Sequence, residues 1–153
     1  MKKLIIVIVS LIICAAIVGG YFGYIAFFAD NQYRDNLREA LKSYSVTELD
    51  KCLSDDTVII CGEKKDTYKN LRDNVQEAFR TRDFEVLDLY GGSESNALFG
   101  VKDLGITFYG TFRDESIGVG SITVILRISP LFNVFAESVE CDDAVFSYIF
   151  FGE

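Results

Sequence analysis

The chain has no histidine and no tryptophan, one proline and one methionine. The missing histidine excludes Ser-His-Asp and Cys-His hydrolases, His-ligated zinc, haem held through His, and any His general base. Basic residues are in the minority: 15 Lys and Arg stand against 23 Asp and Glu, for a formal charge of -8. Affinity for phosphate backbones comes mainly from Lys and Arg, so nucleic acid is a poor partner. There is no Pro/Ser-rich linker, no low-complexity tract and no internal repeat, and the single proline is Pro130. A length of 153 residues leaves one globular domain as the expectation.

What the chain has in excess is apolar sequence at its start. Leu4 to Ala29 carry no charge, and Ser10 is the clearly polar side chain among them. As a helix this run would measure about 39 Å, against a bilayer hydrocarbon core of about 30 Å. Tyr21, Tyr24, Phe27 and Phe28 fall in its outer third, where aromatic rings favour the membrane interface. Lys2 and Lys3 precede the run and bias the N-terminus towards the cytoplasm, with Arg34, Arg38 and Lys42 pulling the other way. The alternative is a signal peptide cleaved near Val18-Gly19-Gly20, giving a secreted chain. The apolar run continues past that point, beyond the roughly 7–15 residues of a signal core. Ile13 before Cys14 does not suit a lipoprotein signal. The expectation is an anchor over 1–29 and an extracytoplasmic domain over 30–153.

All of the acids, and all of the bases except Lys2 and Lys3, lie from Asp30 onward. Asp30 can cap a helix whose stripe is Tyr33, Leu37, Ala40, Leu41 and Tyr44. Ser45 and Glu48 have the spacing of a capping box. They start a short helix that Ser54-Asp55-Asp56 would stop. Thr57 to Cys61 is β-branched and strand-like. Gly62 to Lys65 is a turn, and Asp66 or Thr67 caps a helix with Tyr68, Leu71, Val75, Ala78 and Phe79 on one face. The second half changes to period two. Strands are predicted over Glu85–Tyr90, around Ile106–Phe112, over Ser121–Ile128 up to Pro130, over Phe132–Glu140 and over Ala144–Phe151. Helices followed by antiparallel strands predict an α+β fold, with helices packed on one face of a curved antiparallel sheet.

Leu49-Asp50-Lys51-Cys52-Leu53-Ser54-Asp55-Asp56-Thr57-Val58-Ile59 resembles the helix, acidic turn and strand of NTF2-like (SnoaL-like) cone domains, the NTF2-like/cystatin-like roll. Gly62 followed by Thr67-Tyr68 and a helix resembles the turn into that family's next helix. The resemblance covers roughly residues 33–152. It implies a cone-shaped pocket between helices and sheet. Members include isomerase- and dehydratase-type enzymes, ligand binders and assembly modules. Membrane-anchored members of bacterial conjugation machines, the VirB8-like class, share the order of a short tail, one span and a cone domain. Non-enzymatic binding of a partner protein or a small apolar ligand is the leading expectation. A cell-envelope assembly component and a pocket enzyme are the alternatives.

Candidate chemical groups are sparse. An isomerase-like site needs a carboxylate base and an oxyanion donor, for which Asp88 and one of Tyr33, Tyr44, Tyr68, Tyr90, Tyr109 or Tyr148 are candidates. The plainer expectation is that Asp88 faces water and the tyrosines fill the core. Asp55-Asp56 and Asp142-Asp143 lack the spacing of a calcium loop and read as turns. Gly91-Gly92, Gly118 and Gly120 read as bends or bulges. No catalytic residue, cofactor or metal ligand is assigned. In an oxidising compartment Cys52 and Cys61 could form a bridge, leaving Cys141 over; the alternative is that all three are reduced and buried. The Phe-rich C-terminal strand reads either as a central strand or as an exposed apolar patch.

Overall fold

The computed structural model describes residues 2–91, 101–113, 117–128 and 133–152. The apolar run forms one helix, α1 (Lys2–Phe27). Its stretch Lys3–Tyr24 is long and apolar enough to cross a membrane, and that window is not buried against the rest of the chain. At its far end Tyr21 and Tyr24 pack with Val134 around buried Ala29. Helix α2 (Ala29–Lys42) follows almost without a break. The bonds Phe28 N–H to Tyr24 O (2.9 Å) and Gln32 N–H to Phe28 O (3.0 Å) carry the helical ladder across the junction. Asp30 therefore does not cap this helix as expected, but lies buried in its first turn. The carbonyls of the preceding turn already serve the donors that a cap would satisfy. Tyr33, Leu37, Ala40 and Leu41 form the buried stripe that the sequence predicts.

Ser45 caps α3 (Val46–Leu49) by accepting from Glu48 N–H at 3.2 Å. Strand β1 (Leu53–Cys61) then starts earlier than expected. Ser54-Asp55-Asp56 is a bulge rather than a stop: the register steps from Leu53↔Ala136 directly to Val58↔Ser138. Buried Thr57 spans the irregularity. Its hydroxyl donates to Ala136 O (2.6 Å) and accepts from Ser54 N–H (2.9 Å). A left-handed Gly62 (φ 61) turns the chain into β2 (Lys64–Thr67), a strand the sequence did not announce. Helix α4 (Tyr68–Thr81) buries all five predicted face residues. Strands β3 (Phe84–Tyr90), β4 (Val101–Phe112), β5 (Gly118–Ile128) and β6 (Val134–Cys141) complete the sheet. Pro130 lies outside the described residues.

The sheet is six-stranded and curved, in the order β2-β1-β6-β5-β4-β3. Its ladders are antiparallel except β1·β6, which is parallel, so the sheet is mixed where a purely antiparallel one was predicted. The reason is topological. The last strand inserts beside the first, and both run the same way. Alternation on β4 and β5 buries Leu104, Ile106, Phe108, Ile122, Val124 and Leu126 under the helices. Thr107, Tyr109, Ser121 and Thr123 face the other side.

Ala144–Phe151 is the clearest departure from the sequence reading. It is a helix, α5, and neither a central strand nor an exposed patch. Asp143 caps it, accepting from Val145 N–H (2.8 Å) and Phe146 N–H (3.0 Å), and a left-handed Gly152 (φ 77) ends it. Val145, Phe146, Ile149 and Phe150 are buried, at the i, i+1, i+4, i+5 spacing of one helical face. Apart from Ser147 and the Tyr148 hydroxyl the segment is apolar, so no clear period could be read from it.

Edge strand β3 is sealed by α2. Arg34 donates to Gly91 O (2.6 Å), Arg38 to Leu89 O (3.1 Å) and Lys42 to Leu87 O (2.9 Å). Four residues of helix rise about 6 Å and two residues of strand about 6.8 Å, so the two ladders of side chain and carbonyl stay in step. The cations that blurred the charge asymmetry around α1 are thus spent on blocking a sheet edge.

Candidate functional site: a filled cone and a basic groove

The helices cover one face of the sheet, and the space between them is occupied. Phe146 lies 6.0 Å from Phe108 and 4.8 Å from Phe150, ring centre to centre, and Phe150 lies 6.4 Å from Tyr68. All four of these aromatic side chains are fully buried. Helix α5 therefore fills the hollow in which a pocket protein would hold its ligand. Gly120 makes room for its cap: a Cβ there would lie 2.2 Å from Asp143 Cβ, while one on Gly118 would come 3.2 Å from Gly110 O on the neighbouring strand. These glycines are close approaches, not bulges. Gly91 (φ 142) is likewise pressed against Gly105 O, and Gly92 lies outside the described residues.

The residues weighed for an isomerase-type site are not gathered in that interior. Asp88 sits on edge strand β3 with Arg38 Nε 2.9 Å away, an ion pair whose N–H does not point at the oxygen. Hydrogen bonds from the Tyr90 hydroxyl and the Leu89 N–H hold its carboxyl below the usual range. An Asp and a Tyr do meet here, but Tyr90 is exposed. Tyr68 donates to Asp50 (2.8 Å), whose carboxyl Arg72 holds down through a bidentate bond. Tyr33 is buried, and among the described residues its hydroxyl has no hydrogen-bond partner. It lines a cleft of about 320 Å³ with Asn36, Lys51 and Cys52. Asp55 and Asp56 are exposed on the bulge. Asp142 accepts from Ser121 N–H (2.7 Å). Among the described residues no group of three or more Cys, Asp or Glu is placed to hold a metal ion.

The cysteines are arranged differently from the expectation. Cys52 directly precedes the nine-residue strand β1 and Cys61 is its last residue. An extended strand of that length holds its ends about 25 Å apart, whereas a disulfide needs Cα atoms within about 7 Å. The structure instead sets Cys61 Sγ 3.0 Å from Cys141 Sγ. All three are free thiols and buried. Burial pushes the Cys52 thiol up to about 12.

A second feature was not anticipated. A groove of about 530 Å³ opens where α2 and α4 end beside β3 and β4. Lys42, Arg82 and Arg113 line it, with Glu85 the acid among them and Tyr44, Phe84 and Phe112 as its apolar walls. Tyr44 (φ 52) and Arg82 (φ 54) are the non-glycine residues with left-handed backbone among the described ones, and both stand in this groove. That conformation costs a side-chain-bearing residue about 1–2 kcal/mol. In exchange the Arg82 guanidinium lies 4.9 Å over the Tyr44 ring. Tyr44 packs on Phe84 (5.4 Å) and Phe79 (6.0 Å) and donates its hydroxyl to Phe84 O (2.8 Å). Burial raises the Tyr44 phenol and Glu85 adds to this, while Arg82 and Arg113 oppose it. The sequence signal was slight: Arg82 lies two residues before Phe84 and Arg113 directly after Phe112, and the Phe84↔Phe112 pairing brings them together.

Solved structures share this architecture. A conserved protein from Planctomyces limnophilus superposes with a TM-score of 0.59 at 12% identity, over 78% of this chain and 98% of that one. An NTF2-like protein of unknown function in nutrient uptake from Rhodospirillum rubrum gives 0.54 at 18% identity, over 74% and 96%. An NTF2-like protein from Cytophaga hutchinsonii gives 0.55 at 13% identity, over 73% and 93%. No protein-family model matches the sequence, and no curated protein does. The chain has the NTF2-like fold, preceded by one apolar helix.

Proposed function

We propose that this chain is a membrane-tethered NTF2-like domain that binds an acidic segment of a partner protein without turning it over. Residues 1–29 are its anchor and residues 30–153 its extracytoplasmic domain. The observation that carries this reading is the filled hollow: α5 occupies the space a small apolar ligand or substrate would need. Recognition then falls to the surface. The Tyr44–Arg82 groove supports an acidic partner by charge complementarity, since three cations converge there on a chain of net charge -8. Lys2 and Lys3 at the start of α1 support a cytoplasmic N-terminus.

The test uses the full chain in a neutral detergent and a fluorescent glutamate-rich peptide as probe. Anisotropy should report binding that weakens as salt rises, because exposed charges are screened over about 10 Å at 0.1 M. Charge reversal, Arg82→Glu with Arg113→Glu, should lower affinity at least about tenfold, roughly 1.4 kcal/mol. Binding indifferent to salt and to both substitutions overturns the groove assignment. Carbonate washing of membranes tests the anchor separately: an intact chain released to the soluble fraction removes it. Native mass spectrometry showing a discrete small-molecule adduct on the folded chain overturns the filled-hollow argument.

A further inference from the structure

Cys61 and Cys141 end β1 and β6, the parallel pair that joins the first and last strands of the sheet. They are register partners, and neighbouring strands lie about 4.8 Å apart, inside the about 4.4–6.8 Å between Cα atoms that a disulfide spans. Their sulfurs are already 3.0 Å apart, roughly 1 Å longer than the covalent bond. Both stand at the last residue of a strand. A depression of about 220 Å³ between Gly62, Ser121 and Asp142 has Cys141 in its wall, so the pair lies just beneath the surface.

We propose that Cys61 and Cys141 are a redox site, joined as an intrachain disulfide when the chain meets a small-molecule or protein disulfide as oxidant. The thiol of Cys141 and nearby Lys64 favour the thiolate of Cys61, which makes Cys61 the first nucleophile. Its sulfur attacks one sulfur of the oxidant, breaks that S–S bond and releases one thiolate. Cys141 then loses its proton and attacks Cys61 Sγ in the mixed disulfide, expelling the second thiolate. The two cysteine protons end on the two released thiols. One disulfide is reduced and one is formed. Cys52 takes no part, because it lies at the far end of β1 and its own thiol is pushed up by burial. This inference stands on strand geometry and does not depend on the acidic-partner reading.

The experiment treats the reduced, folded full chain in detergent with hydroxyethyl disulfide, a neutral reagent suited to the acidic rim of Glu140 and Asp142. Free thiols are then blocked and the protein is digested without reduction. The expected map has the Cys61 and Cys141 peptides linked, two hydrogens lighter than their sum, and Cys52 blocked as a free thiol. Cys52→Ser should leave the link unchanged. In Cys61→Ser the Cys141 peptide should carry no intrachain link. Cys61 and Cys141 both recovered as blocked thiols or as separate reagent adducts, or a link that includes Cys52, would overturn the proposal. The same digest of chain oxidised in denaturant should show mixed pairings, which separates a fold-directed link from chance.

Discussion

Replacing Asp143 is the sharpest test of how α5 is held in place. Its carboxylate accepts from Val145 N–H and Phe146 N–H, the first free donors of the helix, at 2.8 and 3.0 Å. It does so while buried, at 7% exposure. Two effects compete. The N-terminus of a helix favours a negative charge by about 0.3–1 kcal/mol. Burial disfavours the charge, and it is the larger effect: the carboxyl is raised above its ordinary 3.8. Asp143→Ala deletes the acceptor and should cost about 1–2 kcal/mol. For a domain of this size that is a fall in Tm of about 3–8 °C. Asp143→Asn keeps an acceptor oxygen and removes the buried charge, so at neutral pH it should match or exceed the native protein. The sign of the pH dependence follows. A carboxyl raised on folding takes up its proton more readily folded than unfolded, so it gains stability for the fold as pH falls through the window above 3.8. The advantage of Asn over Asp should therefore shrink as the pH is lowered through that window. Thermal unfolding of the full chain in detergent, followed by circular dichroism across pH, measures all of this. If Asn falls as far as Ala at neutral pH, the charge itself carries the cap and the argument from burial is wrong.

Other outcomes follow from the same packing. Gly120→Ala places a Cβ against the Asp143 side chain that caps α5 and should cost about 1–3 kcal/mol in urea unfolding, since relieving the overlap means moving that cap. Phe146→Ala empties the middle of the helix–sheet interface and should cost about 3–5 kcal/mol, and the hollow it opens should take up a small apolar molecule visible by native mass spectrometry. Arg38→Ala with Lys42→Ala should change stability little but unmask the Leu87 and Leu89 carbonyls, so light scattering should show concentration-dependent association. Asp50, held down chiefly by its bond to Arg72, contributes stability present above 3.8 and lost as pH falls through its lowered folded value; Asp50→Asn should flatten that acid limb.

The sequence alone was enough for the parts whose order is local. A charge-free run of this length must be one helix with nothing polar to offer water, and it is. Period 3.6 named the buried faces of α2 and α4, and period two named those of β4 and β5, because side-chain direction is fixed by backbone geometry over a few residues. Periodicity gave the α+β class, and the NTF2-like fold came from the resemblance of Leu49–Ile59 and of Gly62 with Thr67-Tyr68 to that family. What needed the tertiary structure was every feature made by residues far apart in the chain. Strand β2 and the bulge at Ser54–Asp56 exist only through pairing with β1 and β6. Helix α5 declares itself through the Asp143 cap and the space that Gly120 leaves, neither visible in an octet whose polar groups are Ser147 and the Tyr148 hydroxyl. Only eight residues separate Cys52 from Cys61, which suggested a bridge, but an extended strand keeps them apart, while parallel pairing brings Cys61 to a cysteine from the other end of the domain. The Tyr44–Arg82 groove likewise comes from two helix ends and two strands meeting. Local sequence sets which way a side chain points; only the closed sheet decides what it meets.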